Sequence, residues 1–207
     1  MCNRYRVTAK QIEIAQRYGV DPALLFPEPE TLPLPELFPK RMGWVLRKIS
    51  AGAGERPLAS LGTSGGERRL DIMKWGIPLP PTGKPVTNVR NLSSPFWRSM
   101  LKNPARRCLV PVTDFCEWSG EKGSKTEHWF SLPSKPIFSF AGIWRPTPEG
   151  NAYAFLTCEP NPLVAPIHAK AMPVILHDED YDRWLDGEVD EVCSLATPFP
   201  SQLMAVG

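Results

Sequence analysis

Ile137-Phe138-Ser139-Phe140-Ala141-Gly142-Ile143-Trp144, the turn residues Pro148-Glu149-Gly150-Asn151 and then Ala152-Tyr153-Ala154-Phe155-Leu156-Thr157-Cys158 read as a β-hairpin. Two runs rich in aromatic and β-branched residues, separated by a proline and glycine turn, are what paired strands require. Working outward, Asn3 to Val7, Ile72 to Ile77, Cys108 to Val112 and Met172 to Leu176 carry the same signature. The helical signals are few and short. Thr8 with Gln11 suggests a capping box for a helix through Ile12 and Ala15 that closes at Gly19. Ser94-Pro95 supplies an N-cap and first-turn proline for Phe96 to Leu101. Asp178 to Leu185 reads as an acidic-capped helix stopped by Gly187. Prolines crowd residues 27–39, and 51–68 is rich in Gly, Ser and Ala, so both read as loops, neither long enough to separate two cores. There is no internal repeat. The expectation is one α+β domain over residues 1–207, with a largely antiparallel, barrel-like mixed sheet core and short peripheral helices.

At 207 residues, such a domain buries about 70% of the surface its unfolded chain would expose, so its core needs neither disulfides nor metals. The five cysteines, at 2, 108, 116, 158 and 193, are odd in number and form no CxxC pair. With no signal peptide, they point to a reducing, cytoplasmic setting. No apolar run approaches the roughly 20 residues of a membrane-spanning helix. Three histidines and no cysteine-histidine zinc spacing argue against a metal site, and no cofactor is expected. The net charge is +2, but residues 1–108 hold 18 Lys+Arg against 8 Asp+Glu, and the remainder 6 against 14. Either the first half forms a basic face for a polyanion, or the halves interleave and the charges mix.

Chemistry concentrates at Met1-Cys2-Asn3-Arg4-Tyr5-Arg6. An initiator methionine before a residue as small as cysteine is normally removed, which leaves a free amine and a thiol on Cys2. An aminothiol of this kind condenses with an aldehyde to a Schiff base, and its sulfur then closes a thiazolidine ring. With reference values of about 7.7 to 8.0 for the amine and about 8.5 for the thiol, both can be partly deprotonated near neutrality. The alternative is a cysteine serving as a small core hydrophobe. In an extended segment Cys2, Arg4 and Arg6 project to one side and Asn3, Tyr5 and Val7 to the other.

Three further segments combine polar groups with strand or turn context. Within Thr87-Asn88-Val89-Arg90, a two-residue offset puts Asn88 and Arg90 on one face. Glu117, between Cys116 and Trp118, is either solvated at a strand end or desolvated with a raised pKa suited to acid/base work. His168, between Ile167 and the strand opening at Met172, is either a hydrogen-bonded structural residue or a catalyst, whereas His128 and His177 read as surface residues. Trp75, Trp97 and Trp118 accompany the basic half. Interleaved Trp and Arg suit single-stranded nucleic acid; the alternative is that the tryptophans are core, as expected for Trp118 and Trp144.

Taken together, these segments resemble the SOS response-associated peptidase (SRAP) family, whose members protect abasic sites in single-stranded DNA by a covalent crosslink. The resemblance runs from Met1-Cys2-Asn3-Arg4-Tyr5 through Lys74-Trp75-Gly76-Ile77-Pro78, Asn88-Val89-Arg90, and Arg106-Arg107-Cys108-Leu109-Val110-Pro111 with Phe115-Cys116-Glu117-Trp118. It ends at Ile167-His168 and Met172-Pro173-Val174-Ile175-Leu176. It implies that Cys2 forms the thiazolidine with the ring-opened sugar and that Asn88 orients its amine or thiol. Glu117 and His168 then handle the protons. It further implies that Arg4, Arg90 and Arg98 hold phosphates, that Trp75 and Trp97 flank the abasic gap, and that Thr157 lines the pocket. The family name implies peptidase-like removal of the residue before Cys2. The implied partner is abasic single-stranded DNA, bound by a monomer that becomes nucleoid-associated on DNA.

Some positions depart from the family pattern. Asn91-Leu92 stands where an acidic residue is usual, His168-Ala169-Lys170-Ala171-Met172-Pro173 replaces a shorter arginine form, and many relatives continue beyond the segment 201–207. Two rival functions are an N-terminal-nucleophile amidohydrolase, in which the Cys2 amine is the base, and a non-catalytic single-strand binder.

Overall fold

The computed structural model describes residues 2–26, 32–49, 68–121 and 123–207. Along the chain run β1 (Tyr5–Arg6), α1 (Gln11–Tyr18), β2 (Glu36–Leu37), β3 (Met42–Lys48), β4 (Arg68–Trp75), β5 (Ile77–Leu79), β6 (Lys84–Val86), β7 (Asn88–Val89) and α2 (Pro95–Leu101). The second half holds β8 (Arg107–Val112), β9 (Asp114–Ser119), β10 (Thr126–Ser131), β11 (Phe138–Thr147), β12 (Gly150–Cys158), β13 (Met172–Pro173), β14 (Ile175–Leu176), α3 (Tyr181–Asp186), α4 (Val189–Ser194) and β15 (Ala205–Val206).

Strands β12, β4, β3, β8 and β11 bond in that order, and β11 pairs back onto β12, so five strands close on themselves. Only the β12–β4 junction of this ring is parallel, which makes the barrel mixed. Closure leaves no edges to protect. A second, antiparallel sheet in the order β15-β10-β9-β1-β2 packs alongside. All six residues of β8 are buried, as are Ala152 to Cys158 of β12, because these strands have protein on both faces. That is why their sequences read as continuous apolar runs rather than alternating ones. Rings fill the interior: Trp75 stacks on Phe155 at 5.3 Å, Tyr5 meets Trp75 edge-on at 5.1 Å, and Phe140 lies 4.8 Å from Phe155.

Strand β3 carries no strong strand signal of its own, yet it is central to the barrel, and Gly43 explains how it fits. A Cβ at Gly43 would collide with the Tyr153 hydroxyl and stand 2.7 Å from Leu37 Cδ2 and 2.8 Å from the Tyr5 hydroxyl. Those two hydroxyls are hydrogen-bonded to each other in the core, on rigid rings that cannot retreat. Gly43→Ala is therefore expected to cost about 1–3 kcal/mol through overpacking. Denaturant unfolding checks this, and a wild-type midpoint would refute it.

The hairpin is tighter at its turn and wider at its base than the sequence suggests. Thr147 pairs with Gly150 across a two-residue Pro148-Glu149 turn, with Gly150 at φ +106°. The β11–β12 pairing stops at Gly142 and Phe155, and beyond that point the two strands splay. The segment expected as one strand, Met172 to Leu176, enters the gap as two: β13 bonds Thr157 and Cys158 of β12, while β14 bonds Ser139 and Phe140 of β11. Val174 joins both sides, donating to Leu156 O and accepting from Ala141 N, each at 2.9 Å.

Smaller differences have local causes. Helix α1 starts after Lys10, whose N–H donates to Glu13 at 2.6 Å, while the N–H of Thr8 is taken by Thr113 Oγ1. Gly19 closes α1 in the left-handed region, and Ser94 precedes α2, both as expected. The strand expected to reach Ile77 ends at Trp75, because Gly76 at φ +124° turns the chain. Asp178–Asp180 forms a 3₁₀ turn before α3. The loop expected at 51–68 lies outside the described residues except for Arg68, which opens β4; of the proline-rich stretch, 27–31 lies outside and β2 occupies Glu36–Leu37.

Candidate functional site

Strand β12 brings the predicted residues together. Its Phe155 and Leu156 pair in parallel with Asn88 and Val89 of β7, its Thr157 and Cys158 pair with β13, and His168 lies on the connection between them. Strand β9 supplies Glu117 and pairs with β1, which carries Cys2 in; Cys116 N donates to Arg4 O at 2.9 Å. Asn88 Nδ2 donates to Cys2 O at 2.8 Å and to Thr87 Oγ1 at 2.8 Å. Both donor hydrogens of the amide are thus used, while the buried Asn88 Oδ1 has no partner among the described residues. The same holds for Glu117 Oε1. An unpaired buried acceptor costs on the order of 1–3 kcal/mol, a cost usually tolerated where a ligand or reacting group will supply the donor.

Electrostatics sort the roles. Burial pushes the Glu117 carboxyl up to about 7, with the positive amino terminus of the chain opposing the shift. Of the two readings open in the sequence, the desolvated one holds: Glu117 is 2% exposed. Burial, and next the Glu117 charge, hold the Cys2 thiol well above its usual range, so Cys2 carries its proton, donating it to Arg4 O at 3.4 Å. An external base must therefore take that proton before sulfur attacks. His168 is lowered by burial and is neutral at pH 7. Its Nδ1 lies 2.8 Å from Ala171 O and 3.4 Å from Ala171 N; the shorter contact, to a carbonyl that only accepts, favours the proton on Nδ1 and the basic lone pair on Nε2. Thr157, buried on β12, reaches Val89 O through a long 3.5 Å contact.

Several expected placements are corrected. Cys2 is not on the face of Arg4 and Arg6: regular pairing begins only at Tyr5, so Cys2 turns inward and Asn3 outward. Trp75 is fully buried, its Nε1 donating to Thr87 O at 3.2 Å, and Trp97 is 7% exposed. Neither leaves a ring face for a base; both are core. Trp118, expected in the core, is instead half-buried, and the Arg4 guanidinium stands 5.7 Å from it, 5.0 Å from Trp129 and 5.2 Å from exposed Phe38. Trp129 and Phe38 were not singled out in the sequence, since neither lies near a motif and only the pairing of β9 with β10 brings Trp129 to Arg4.

The arginines expected on phosphates are engaged with acids. Arg4 pairs with Glu36 and Glu127 at 2.5 Å each, Arg98 with Asp190 at 3.0 Å, and Arg90 with Glu159. Arg17–Asp178, Arg68–Asp182, Lys74–Glu149 and Lys48–Asp186 likewise join the basic half to the acidic one. Of the two readings of the charge asymmetry, interleaving is the one these pairs realise. Among the described residues no three or more His, Cys, Asp or Glu side chains cluster as metal ligands, and no helix is long and apolar enough to cross a membrane.

Residues 1–207, the whole chain, match the family described as SOS response associated peptidase (SRAP). The chain belongs to the SRAP family. That description ties it to the response to DNA damage. No curated protein matches it. Solved structures share the SRAP chain's fold: a protein from Bacteroides thetaiotaomicron is 22% identical with a TM-score of 0.75, over 99% of this chain and 90% of that one. A protein from Bordetella bronchiseptica is 20% identical with a TM-score of 0.76, over 100% and 98%. A phage-related protein from the same organism is 18% identical with a TM-score of 0.70, over 100% and 93%. At these identities the likeness concerns the fold alone.

Proposed function

We propose that this SRAP protein shields abasic sites in single-stranded DNA by a covalent bond through Cys2, once removal of Met1 has freed its amine. The observation that carries the reading is the joint burial of Cys2, of Asn88, which donates to Cys2 O, and of Glu117, whose charge acts on the Cys2 thiol, with Asn88 Oδ1 and Glu117 Oε1 each left without a partner among the described residues. The Cys2 amine adds to the ring-opened sugar aldehyde, and Asn88 Oδ1 accepts one of its hydrogens. Glu117, neutral below about pH 7, protonates the carbinolamine hydroxyl, which leaves as water and gives the Schiff base. His168 Nε2 takes the thiol proton, the thiolate adds to the carbon of the protonated imine, the C=N electron pair settles on nitrogen as the ring N–H, and the proton on His168 passes back to the Glu117 carboxylate as the thiazolidine closes. Run backward with Glu117 and His168 exchanging roles, the same steps release the DNA, a lyase-like reversal. Peptidase-like self-processing would use the same thiol against the bond before Cys2. Thr157 lines the pocket.

Denaturing electrophoresis of processed protein with single-stranded DNA holding one abasic site tests the reading: a retarded band that survives denaturation is expected. Hydrolysis of small amides without DNA would favour an N-terminal-nucleophile amidohydrolase instead. Binding that is fully reversed by salt would favour a non-catalytic binder.

Arg4, Arg90 and Arg98 contact phosphates in this reading; Arg90 and Arg98 do so by exchanging one carboxylate partner, which is cheap for exposed pairs, whereas Arg4, 15% exposed, gives up both Glu36 and Glu127 at a higher cost. Arg90, whose side chain is 40% exposed, is the simplest to test. Arg90→Ala is expected to weaken binding and flatten the plot of log affinity against log salt by about 0.7, the contribution of one phosphate on a single strand. An unchanged slope removes Arg90 from the DNA surface.

A further inference from the structure

We infer that Thr87 is a positioning residue for the crosslinking reaction, fixing the Asn88 side-chain amide that holds the Cys2 carbonyl and keeping its Oδ1 available in the buried site. The inference rests on the crosslinking reading above and adds a residue to it. Asn88 Nδ2 faces two oxygens at 2.8 Å, Cys2 O and Thr87 Oγ1. The first can only accept, so the nitrogen end of the amide must lie on that side and Oδ1 on the other. One such bond leaves the amide free to rock about it. The second, to a hydroxyl outside the reacting segment, fixes the plane, and Oδ1 is left buried with no partner among the described residues.

Thr87 is itself well anchored. Its carbonyl accepts from Trp75 Nε1 at 3.2 Å and from Phe155 N at 3.3 Å, which ties the hydroxyl to the barrel wall. The fully buried Trp75, unavailable for stacking on DNA, thereby acquires a role as the brace behind Thr87. Gly76 keeps the same region close, since a Cβ there would stand 2.8 Å from Pro85 Cβ.

Thr87→Val keeps the shape and removes the acceptor; Thr87→Ser keeps the acceptor. At saturating protein, Thr87→Val is expected to slow adduct formation about tenfold, as loss of one of the two hydrogen bonds that orient a buried amide does. Thr87→Ser should stay within about twofold of wild type on the same grounds. Affinity for undamaged single-stranded DNA should hold in both variants, and the melting temperature should fall only in Thr87→Val, whose rate is therefore taken per folded molecule well below that temperature. A wild-type rate in Thr87→Val, or equal slowing in both variants, overturns the inference. If wild type itself makes no adduct, the crosslinking reading fails, and the positioning is then read from hydrogen exchange of the Asn88 side-chain amide by NMR. Loss of protection in Thr87→Val, restored in Thr87→Ser, supports the fixed amide; unchanged protection overturns it.

Discussion

Cys2→Ala is expected to abolish the denaturation-resistant adduct with abasic single-stranded DNA and to leave most of the noncovalent affinity in place. The alanine variant, once processed, still has an α-amine and can still form a Schiff base, but it has no sulfur to close the ring. The imine returns to amine and aldehyde in water, so a covalent product should appear only when borohydride reduces it. Protein that retains Met1 should fail differently. Its α-amine belongs to methionine and the Cys2 nitrogen is an amide, so neither the imine nor the ring can form at Cys2. Intact mass spectrometry beside denaturing electrophoresis separates the cases. A stable adduct on Cys2→Ala, or on chains still carrying Met1, would sink the thiazolidine mechanism.

Glu117→Gln is expected to slow adduct formation or reversal by about a hundredfold to ten-thousandfold, the usual worth of a positioned general acid or base, while single-strand affinity stays near wild type. The acid form of Glu117 does the work in Schiff-base formation, so the wild-type rate should decline as pH rises through about 7. The glutamine variant should lose that decline. Stability gives an independent check on the same pKa. The carboxyl holds its proton up to about pH 7 in the folded protein, against an ordinary value of 4.5. Between those values the native state binds more protons than the unfolded chain, so stability falls as pH rises across that window. Glu117→Gln, neutral at every pH, should remove this fall. Single-turnover rates and melting curves from pH 4.5 to 8 decide the point: wild-type rates in both directions would strike Glu117 from the catalytic group. A structural carboxylate would instead lower stability and affinity together when replaced, without changing the rate per bound molecule.

Much of the fold was legible in local pattern. The runs Phe138 to Trp144, Ala152 to Cys158 and Cys108 to Val112 are almost wholly apolar, interrupted by Ser139 and Thr157, because each is buried on both faces, and they name three of the five barrel strands. Ser94-Pro95 and Gly19 mark helix ends through backbone geometry that acts within a few residues. The candidate residues Cys2, Asn88, Glu117 and His168 stand in recognisable segments of the sequence, four of them, far apart along the chain. What they do to one another could not be read there, since the Glu117 pKa and the His168 tautomer depend on burial and on partners distant in sequence.

Only the tertiary structure decided the rest. Strand β3 takes its place through its pairing with β4 and β8, and Gly43 is legible as a requirement only once Tyr5, Leu37 and Tyr153 surround it. Trp75 and Trp118 exchanged their expected places because a tryptophan beside arginines reads the same whether its ring is in the core or half outside it. The excess of positive charge in residues 1–108 is offset in space where the structure describes it, for acids of the second half pair with Arg4, Arg17, Arg68, Lys74 and Arg98. Local sequence sets which backbone conformations and which buried faces are favourable; exposure, pairing and pKa are properties of the assembled surroundings, which contacts between distant segments create.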